Sequence, residues 1–477
     1  MQEKYCIGVD SGSQSTKIYI INQRGEVVCS AVQPLRPVIA RQPGWVEHPD
    51  DDLWESLKTA LQRLFEAFEG NKEDILGMGL CAIRCCRVFL KSDGLLAAPV
   101  MSWMDVRAYE PFQDEPGIAY TGSTSGYLTF RLTGELKDTI ANAYQQQFPT
   151  DMERWTWSED PKRYNACGIP REKLLDIHLP GKILGYVTAE AAAETGLPQG
   201  LPVVSTANDK AVEALGSGLI DLRAGLLSLG TYITSMVMGM EYRPAAENYF
   251  TNLSSVPYRY LYESSGIRGG MWHISWFKEL IGDEFAGKAE AYGLSAEELL
   301  EQEASLVSVG SDGLMIMPDW LAPSEELFKK GVMIGFNQQH TRGHIYRALM
   351  EAIAMRMKNF FDAMTREIGM VPEKLIVCGG GSNSKLFMQI VADVFGIRAV
   401  RNVVNGAAAL GSAVSAAVAT GLYRDYEEAV SAMVHEQDVF FPDNTHKEVY
   451  ARLNESAYSK LPHMLEDTLK TMHDAYR

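Results

Sequence analysis

Two β-strands joined by a short turn of small polar residues begin this chain and constrain its fold more than any other segment. Residues 5–9 (YCIGV) and 16–21 (TKIYII) are rich in β-branched and aromatic residues, and the polar stretch DSGSQS joins them. A second polar turn leads into a third strand, VVCSAV. The next segment, about 50–69, has acidic residues in its first turn and apolar residues at helical spacing. The start of the chain therefore predicts a β-meander followed by a helix.

The first turn, DSGSQSTK (10–17), has the composition of a phosphate-binding loop. A turn of glycine and small hydroxyl residues between two strands leaves backbone N–H groups free to hold phosphate oxygens. Asp10 ends the first strand, where its carboxylate could hold a Mg²⁺ ion through water. The alternative is an ordinary polar hairpin, and this segment alone does not decide between the two.

Two more glycine-containing turns follow strands in the rest of the chain. In SLGTYITS (228–235), Gly230 permits close approach of a backbone, and Thr231 offers a hydroxyl to a phosphate. In VCGGGSNSKLF (377–387), three glycines stand between a predicted strand and a predicted helix. An ordinary turn of this kind needs only one glycine, so a run of three favours a flat ligand bound at the helix N-terminus.

The segment TANDKAVEALGSG (206–218) places Asp209 at a predicted strand-to-helix corner. In phosphoryl transfer to an alcohol, a carboxylate within hydrogen-bond reach can orient the hydroxyl and accept its proton. The alternative is that Asp209 caps the helix predicted over 210–216. The residues by themselves favour the cap.

Other elements are predicted from periodicity. Residues 340–364 form a long amphipathic helix with Thr341 as its N-cap, which also explains the HTRGH motif without a metal. The tail from residue 425 is predicted to be helical and polar. The small residues of 407–423 indicate a close-packed core helix and not a membrane span.

Composition excludes several functions. The net charge is −17, without a block of like charges, which argues against nucleic acid or an anionic membrane as a partner. Seven irregularly spaced cysteines and the absence of a signal peptide favour a reducing cytoplasm. The segment GDEFAGKA (282–289) lacks the Ser or Thr of a P-loop, so nucleotide binding by that motif is not expected.

Two phosphate-type turns and a distal glycine-rich turn, without a P-loop, form the layout of the actin-like ATPases. Within that group the chain resembles the FGGY carbohydrate kinases over nearly its whole length. GVDSGSQSTK and SLGTYITS resemble the two phosphate turns of that family, and CGGGSNS resembles its adenosine turn. Four other segments resemble family elements: WVEHPDDDLWESL (45–57), MSWMDVRA (101–108), RLTGELKDTIANA (131–143) and GVMIGFNQQHTRGHIYRALMEAIA (331–354).

The resemblance implies an α/β fold of two ribonuclease H-like domains, 1–243 and 244–477, around an interdomain cleft. It implies transfer of the γ-phosphate of ATP to a small sugar, ketose or polyol, with Asp209 as the catalytic base and Mg²⁺ held by Asp10 and Asp209. A cytoplasmic homodimer is among the expected assemblies. The implied ATP-binding residues are Gly12, Ser13, Ser15, Thr16, Lys17, Gly230, Thr231, Gly379, Gly380, Gly381, Ser382 and Asn383. The implied substrate-binding residues are Arg84, Cys85, Trp103, Asp105, Asn208, Asp209 and Lys210.

The substrate is where this chain departs from the family pattern. Arg84 matches the glycerol kinase pattern, Cys85 matches neither glycerol nor xylulose kinases, and Lys210 replaces the usual Asn or Gln after the base. Two cations near the substrate hint at an acidic sugar such as an aldonic acid. Alternatively, either cation pairs with a local acid such as Glu213. Two other functions stay open: a sugar- or nucleotide-binding regulator that has lost catalysis, and an ATPase with a conformational output.

Overall fold

The computed structural model describes residues 2–322 and 326–476, and its first half alternates strands and helices. The strands of this half are β1 (Tyr5–Ser11), β2 (Ser15–Asn22), β3 (Val27–Pro34), β4 (Ile39–Gln42), β5 (Trp45–Glu47), β6 (Ile75–Ala82), β7 (Val88–Leu90), β8 (Tyr120–Gly122), β9 (Lys137–Thr139), β10 (Thr150–Asp151), β11 (Thr156–Trp157), β12 (Asp176–His178), β13 (Ile183–Tyr186) and β14 (Pro202–Asn208). The helices are α1 (Asp52–Ala67), α2 (Thr124–Thr133), α3 (Pro161–Cys167), α4 (Ala189–Thr195) and α5 (Asp209–Gly216).

The second half has longer helices. Its strands are β15 (Ala224–Leu229), β16 (Ile233–Gly239), β17 (Tyr249–Leu253), β18 (Tyr260–Ser264), β19 (Met315–Met317), β20 (Val332–Ile334), β21 (Lys374–Cys378), β22 (Arg398–Asn402) and β23 (Glu436–Phe440). Its helices are α6 (Trp272–Ile281), α7 (Asp283–Ala291), α8 (Ala296–Ser305), α9 (Arg342–Ile368), α10 (Lys385–Phe395), α11 (Ala407–Ala419), α12 (Tyr426–Met433), α13 (Asn444–Ser456) and α14 (Leu461–Ala475).

The two main sheets have the same topology. The first has the order β13-β14-β6-β1-β2-β3, in which β1 pairs antiparallel with β2 and parallel with β6. The second has the order β17-β18-β16-β15-β21-β22-β23, in which β15 pairs antiparallel with β16 and parallel with β21. Each sheet thus joins an antiparallel meander to two parallel strands, and the prediction of two ribonuclease H-like domains is confirmed.

The change from the first sheet to the second falls between α5 and β15, ahead of the boundary predicted at 243 and 244. Strands β15 and β16 both belong to the second sheet. The predicted boundary falls in the polar, proline-containing segment GMEYRPAAEN (239–248), which runs from the last residue of β16 to the start of β17 in the same sheet. Its composition therefore indicates a loop within the second domain and not a linker between domains.

Helix α11 packs directly on the first sheet, although it follows β22 of the second. A Cβ atom added to Gly8 would lie 1.8 Å from the carbonyl oxygen of Ala409, and one added to Gly79 would lie 1.9 Å from that of Ser412. The Ser412 hydroxyl also donates a hydrogen bond of 2.9 Å to the Val9 carbonyl. The small residues of α11 therefore permit backbone contact, and the prediction of a close-packed core helix is confirmed.

Several predicted elements agree with the structure, and one does not. Helix α9 begins after Thr341, whose N–H donates to His344 Nδ1 at 3.1 Å, so the HTRGH motif is a helix start. The tail is not wholly helical, because β23 pairs antiparallel with β22 at the sheet edge. An edge strand has one unpaired backbone edge, and charged residues such as Glu436 and Asp438 of β23 disfavour pairing with another chain there. No helix in the described part of the chain is long and apolar enough to span a membrane.

Candidate active site

Three parallel strands of the first sheet end at the same edge and bring three charged residues together. Asp10 is near the end of β1, Arg84 follows β6, and Asp209 follows β14. In open α/β sheets, ligands bind outside the carboxyl ends of the strands. Arg84 Nε lies 3.8 Å from Asp209 Oδ1, so the strand order accounts for a contact between residues distant in sequence.

The Asp209 side chain is half-buried, and one of its two carboxylate oxygens lacks a hydrogen-bond partner among the described residues. That oxygen, Oδ1, is inaccessible to solvent. Asn208, not Asp209, is the N-cap of α5, since the Asn208 side chain accepts a hydrogen bond from the Ala211 N–H at 3.1 Å. The alternative role of Asp209 as a helix cap is therefore wrong. Burial raises the pKa of Asp209, although the positive charges of Arg84 and Lys210 oppose that shift.

The turn between β1 and β2 surrounds Asp10 with small residues. The Gly12 N–H donates to the Ser15 carbonyl at 3.1 Å and closes the turn. Burial raises the pKa of Asp10 to about 6, against the charge of Lys17 on the paired strand. Lys17 is exposed and has no ion-pair partner within the described ranges.

Strand alternation separates Thr16 from the other residues of this turn. Ser15 and Lys17 lie on one face of β2, and Thr16 lies on the opposite face. Thr16 is fully buried, and its hydroxyl is 2.8 Å from the Ser56 hydroxyl of α1. Its side chain therefore stabilises the contact with α1 and does not face the cleft, contrary to the predicted role in ATP binding.

Three glycine-rich turns meet at the edge of the second sheet. A Cβ atom on Gly379 would lie 2.6 Å from the Leu229 carbonyl oxygen, and one on Gly270 would lie 2.2 Å from that of Gly230. The Gly230 carbonyl also accepts a hydrogen bond of 3.0 Å from the Met271 N–H. The contact between Gly379 and Leu229 makes the predicted phosphate and adenosine turns neighbours. Thr231 is exposed at this edge.

The third of these turns was not predicted from the sequence. It lies within GIRGGMW (266–272), directly before α6. The signal was present, because a glycine pair after a predicted strand and before a helix has the same form as the turn of 379–381. In that predicted turn, Gly380 faces open space, whereas the Ser382 hydroxyl donates to the Gly379 carbonyl at 2.7 Å. Asn383 is exposed and accepts a hydrogen bond from Asn405 at 3.0 Å.

Arg84 connects the two sheets at the cleft. Its Nη1 and Nη2 atoms donate to the two carboxylate oxygens of Glu263 on β18, at 2.7 and 2.8 Å. Glu263 is buried and was not predicted as a site residue. The neighbouring Cys85 has a left-handed backbone with φ of 64°, and burial raises the pKa of its thiol to about 11. Its carbonyl accepts a hydrogen bond of 2.9 Å from Gln147.

The structure uses two of the predicted substrate residues for other contacts. Asp105 is fully buried, accepts a hydrogen bond from the Val46 N–H at 2.8 Å and pairs with Arg107 at 2.6 Å. Asn208 caps α5 and donates to the Ala141 carbonyl at 3.1 Å. These hydrogen bonds position the cleft wall. Trp103, by contrast, leaves 42% of its surface exposed.

Lys210 is paired, as the alternative interpretation predicted. Its Nζ atom lies 2.8 Å from Glu213 Oε2 and donates to the Ser228 hydroxyl at 2.9 Å. Ser228 in turn donates to Glu213 at 2.9 Å, and the Cys378 thiol lies 3.4 Å from the same carboxylate. These contacts join α5 to β15 and β21, so Lys210 stabilises the contact between α5 and the second sheet.

A small cavity with both polar and apolar lining residues lies beside Arg84. Asn142, Tyr144, Gln145, Asn208 and Asn252 contribute to its lining. Asn142 Oδ1 is buried without a hydrogen-bond partner among the described residues, while its amide nitrogen donates to Ser125 at 3.0 Å. A buried acceptor of this kind is costly unless a ligand or water supplies the missing donor.

Comparison with known proteins finds carbohydrate kinases along the whole chain. The model of the FGGY carbohydrate kinase N-terminal domain matches residues 5–115 and 116–216, and that of the C-terminal domain matches 225–420. An uncharacterised sugar kinase of Escherichia coli is 46% identical, covering 99% of this chain and 96% of that protein. A xylulose kinase of Staphylococcus epidermidis is 25% identical, covering 98% and 99%.

Solved structures show the same fold along the whole chain. The xylulose kinase of Rhodospirillum rubrum superposes with a TM-score of 0.82 at 26% identity, covering 98% of this chain and all of that one. The gluconate kinase of Lactobacillus acidophilus superposes with a TM-score of 0.83 at 19% identity, covering 99% and 100%. The chain therefore belongs to the FGGY family of carbohydrate kinases, phosphotransferases that act on an alcohol group.

Proposed function

We propose that this chain transfers the γ-phosphate of ATP to a hydroxyl of a small sugar, ketose or polyol, in the manner of a xylulose kinase. The observation that carries the proposal is Asp209, a carboxylate with an unpartnered oxygen that lies beside Arg84 at the sheet edge where Asp10 also ends its strand. Phosphoryl transfer to an alcohol requires little from the protein beyond positioning, charge stabilisation and a group to receive the hydroxyl proton.

Asp209 is the proposed base. Its carboxylate accepts the hydrogen bond of the incoming hydroxyl, orients the hydroxyl oxygen toward the γ-phosphate and takes the proton as the new bond forms. Because the Gly12 N–H is bound to the Ser15 carbonyl, other backbone N–H groups of that turn and of the turn at Gly230 hold phosphate oxygens. The turn at 379–381 contacts the adenosine. Closure of the cleft excludes water, so the sugar hydroxyl is the attacking group.

Asp10 and Asp209 also fit a Mg²⁺ ion. Within the described ranges Asp10 has no ion pair or side-chain hydrogen bond, and Asp209 has an unpartnered oxygen. No cluster of three or more His, Cys, Asp or Glu residues in those ranges could enclose a metal. The remaining ligands would be phosphate oxygens and water, as is usual for Mg²⁺. When bound, the ion neutralises charge on the phosphates.

The regulator alternative loses part of its support. Two departures from the family pattern favour a regulator, Lys210 beside the base and the altered Arg84–Cys85 pair. The pairing of Lys210 with Glu213 gives that lysine a structural role. An ATPase with a conformational output does not explain the cavity beside Arg84.

A panel of neutral ketoses, polyols and aldonic acids, with coupled detection of ADP, tests the proposal. We expect at least one neutral member to stimulate ADP release from ATP and to yield a phosphorylated product. ADP release that no sugar affects would favour the ATPase. Binding of sugar and ATP without ADP release would favour the regulator.

The pH dependence of kcat/KM provides a second test. Asp209 must be deprotonated to act as a base, so the rate rises with pH through its folded-state pKa, which burial raises above the usual value of 3.8. Arg84→Met removes a positive charge that lowers this pKa, so the acidic limb moves to higher pH. Glu263→Gln removes a negative charge that raises it, so the limb moves to lower pH.

The two variants also identify the titrating group. The charges that most affect Asp10 are those of Lys17, Asp209, Glu213 and Lys210, and Arg84 is not among them. An acidic limb that stays in place in both variants would therefore assign it to Asp10 and contradict the assignment to Asp209.

A further inference from the structure

The ion pair between Arg84 and Glu263 determines the charge of the substrate site. Both terminal nitrogens of Arg84 are bound by the Glu263 carboxylate, at 2.7 and 2.8 Å. The Asn252 amide donates to the same carboxylate at 3.0 Å. Arg84 and Asn252 together hold the Glu263 carboxylate in place. Because Glu263 is only 3% exposed, water screens its negative charge little.

Neither of the two cations that act on Asp209 is free for an anionic substrate. Glu263 binds one N–H of each terminal nitrogen of Arg84, and Arg84 Nε faces Asp209 Oδ1 at 3.8 Å. Lys210 is paired with Glu213. The two cations are thus paired with or face three carboxylates, those of Asp209, Glu213 and Glu263, and Asp10 adds a fourth acidic group to the same sheet edge.

We propose that Glu263 makes this site selective for neutral polyhydroxyl substrates and against acidic sugars; this rests on the proposed kinase function. A sugar carboxylate at Arg84 would meet a guanidinium whose charge Glu263 already compensates, and displacing Glu263 would leave a buried carboxylate without its ion pair. It would also approach the negative charge of Asp209. The fold alone does not decide this point, since a gluconate kinase and a xylulose kinase both share it.

The cavity beside the pair has a volume of about 20 Å³, which is room for one water-sized group such as a single hydroxyl. Its polar lining is neutral apart from Arg84: Asn142, Tyr144, Gln145, Asn208 and Asn252. Asn142 Oδ1 lacks a donor, and a sugar hydroxyl can supply one. A hydroxyl can also accept from Arg84 Nε without breaking the bidentate pair. Arg84 can thus donate a hydrogen bond to a neutral hydroxyl, whereas Glu263 compensates the positive charge that would attract an anion.

Binding measurements without ATP test this inference independently of turnover. Calorimetry compares three matched pairs: glycerol with glycerate, xylitol with xylonate, and glucitol with gluconate. In the wild type we expect a neutral member to bind tighter than its acid by about tenfold or more. Glu263→Gln, which is nearly isosteric, should reduce that ratio about tenfold. Glu263→Asp keeps the charge and should keep the neutral preference.

The outcomes separate the two proposals. Equal or tighter binding of the acids by the wild type overturns the role of Glu263, as does failure of every neutral member to bind. Equal ratios of neutral to acid affinity in Glu263→Gln and Glu263→Asp also overturn it, since a purely structural role of Glu263 would affect both variants alike. The expected binding pattern without ADP release by any pair would leave Glu263 as the selector and reject the kinase function of this chain.

Discussion

Replacement of Asp209 by Asn is expected to lower the sugar-dependent kcat by roughly 10²–10⁴-fold, the usual contribution of a general base. Asparagine has almost the same shape but cannot accept the hydroxyl proton. Because Asp209 Oδ1 has no hydrogen-bond partner among the described residues, the substitution breaks no internal hydrogen bond at that atom. The variant should therefore fold normally and still bind ATP. Steady-state kinetics with coupled ADP detection and calorimetric titration with nucleotide measure the two effects.

Asp467→Asn is the matched control. Asp467 is exposed on α14, far along the chain from the cleft residues, and the same chemical change there should leave kcat unaltered. A near-normal rate in the Asp209 variant would refute its assignment as base. A parallel loss of nucleotide binding and thermal stability would instead indicate a structural role for the carboxylate.

The sequence was sufficient for the fold because the informative segments are local. The meander at the start, the turns at 228–235 and 377–387 and the small-residue helix at 407–423 each have a composition that determines their own structure. Thr16 could also have been excluded from the cleft by strand alternation alone, since Asp10 and Lys17 are cross-strand neighbours and Thr16 points the other way.

The electrostatics of the site could not be predicted in the same way. Arg84 and Glu263 are 179 residues apart, and no periodicity connects a residue after β6 with one on β18. Glu213 could be proposed as a partner of Lys210 because it is one helical turn away. Local pairs are thus visible in sequence, whereas a pair that joins two domains depends on how the sheets are placed.

Helix α5 carries Asp209, so its packing against α11 determines where the base lies. A Cβ atom on Gly216 would lie 1.8 Å from the Ala407 carbonyl oxygen, and one on Gly411 would lie 2.1 Å from that of Val212. Both obstacles are backbone atoms, which cannot move as a flexible side chain can. We therefore expect Gly216→Ala and Gly411→Ala each to destabilise the protein by about 3 kcal/mol, at the upper end of overpacking effects.

Gly287→Ala in α7 is the matched control for this prediction. A Cβ atom there meets nothing within 4 Å, and alanine favours a helix over glycine by about 1 kcal/mol. The denaturation midpoint should fall in the two α5–α11 variants and stay equal or rise in the control. An unchanged midpoint in Gly216→Ala would show that the two helices can separate at little cost.

The same separation should reduce catalysis more than it reduces nucleotide binding. The glycine turns at Gly230 and Gly379 contact one another at the edge of the second sheet, whereas Asp209 is the first residue of α5 and moves with that helix. A displacement of about 1 Å between a base and its hydroxyl can cost about 100-fold in rate. Folded Gly216→Ala protein, assayed below its midpoint, should therefore lose kcat while it retains affinity for ATP.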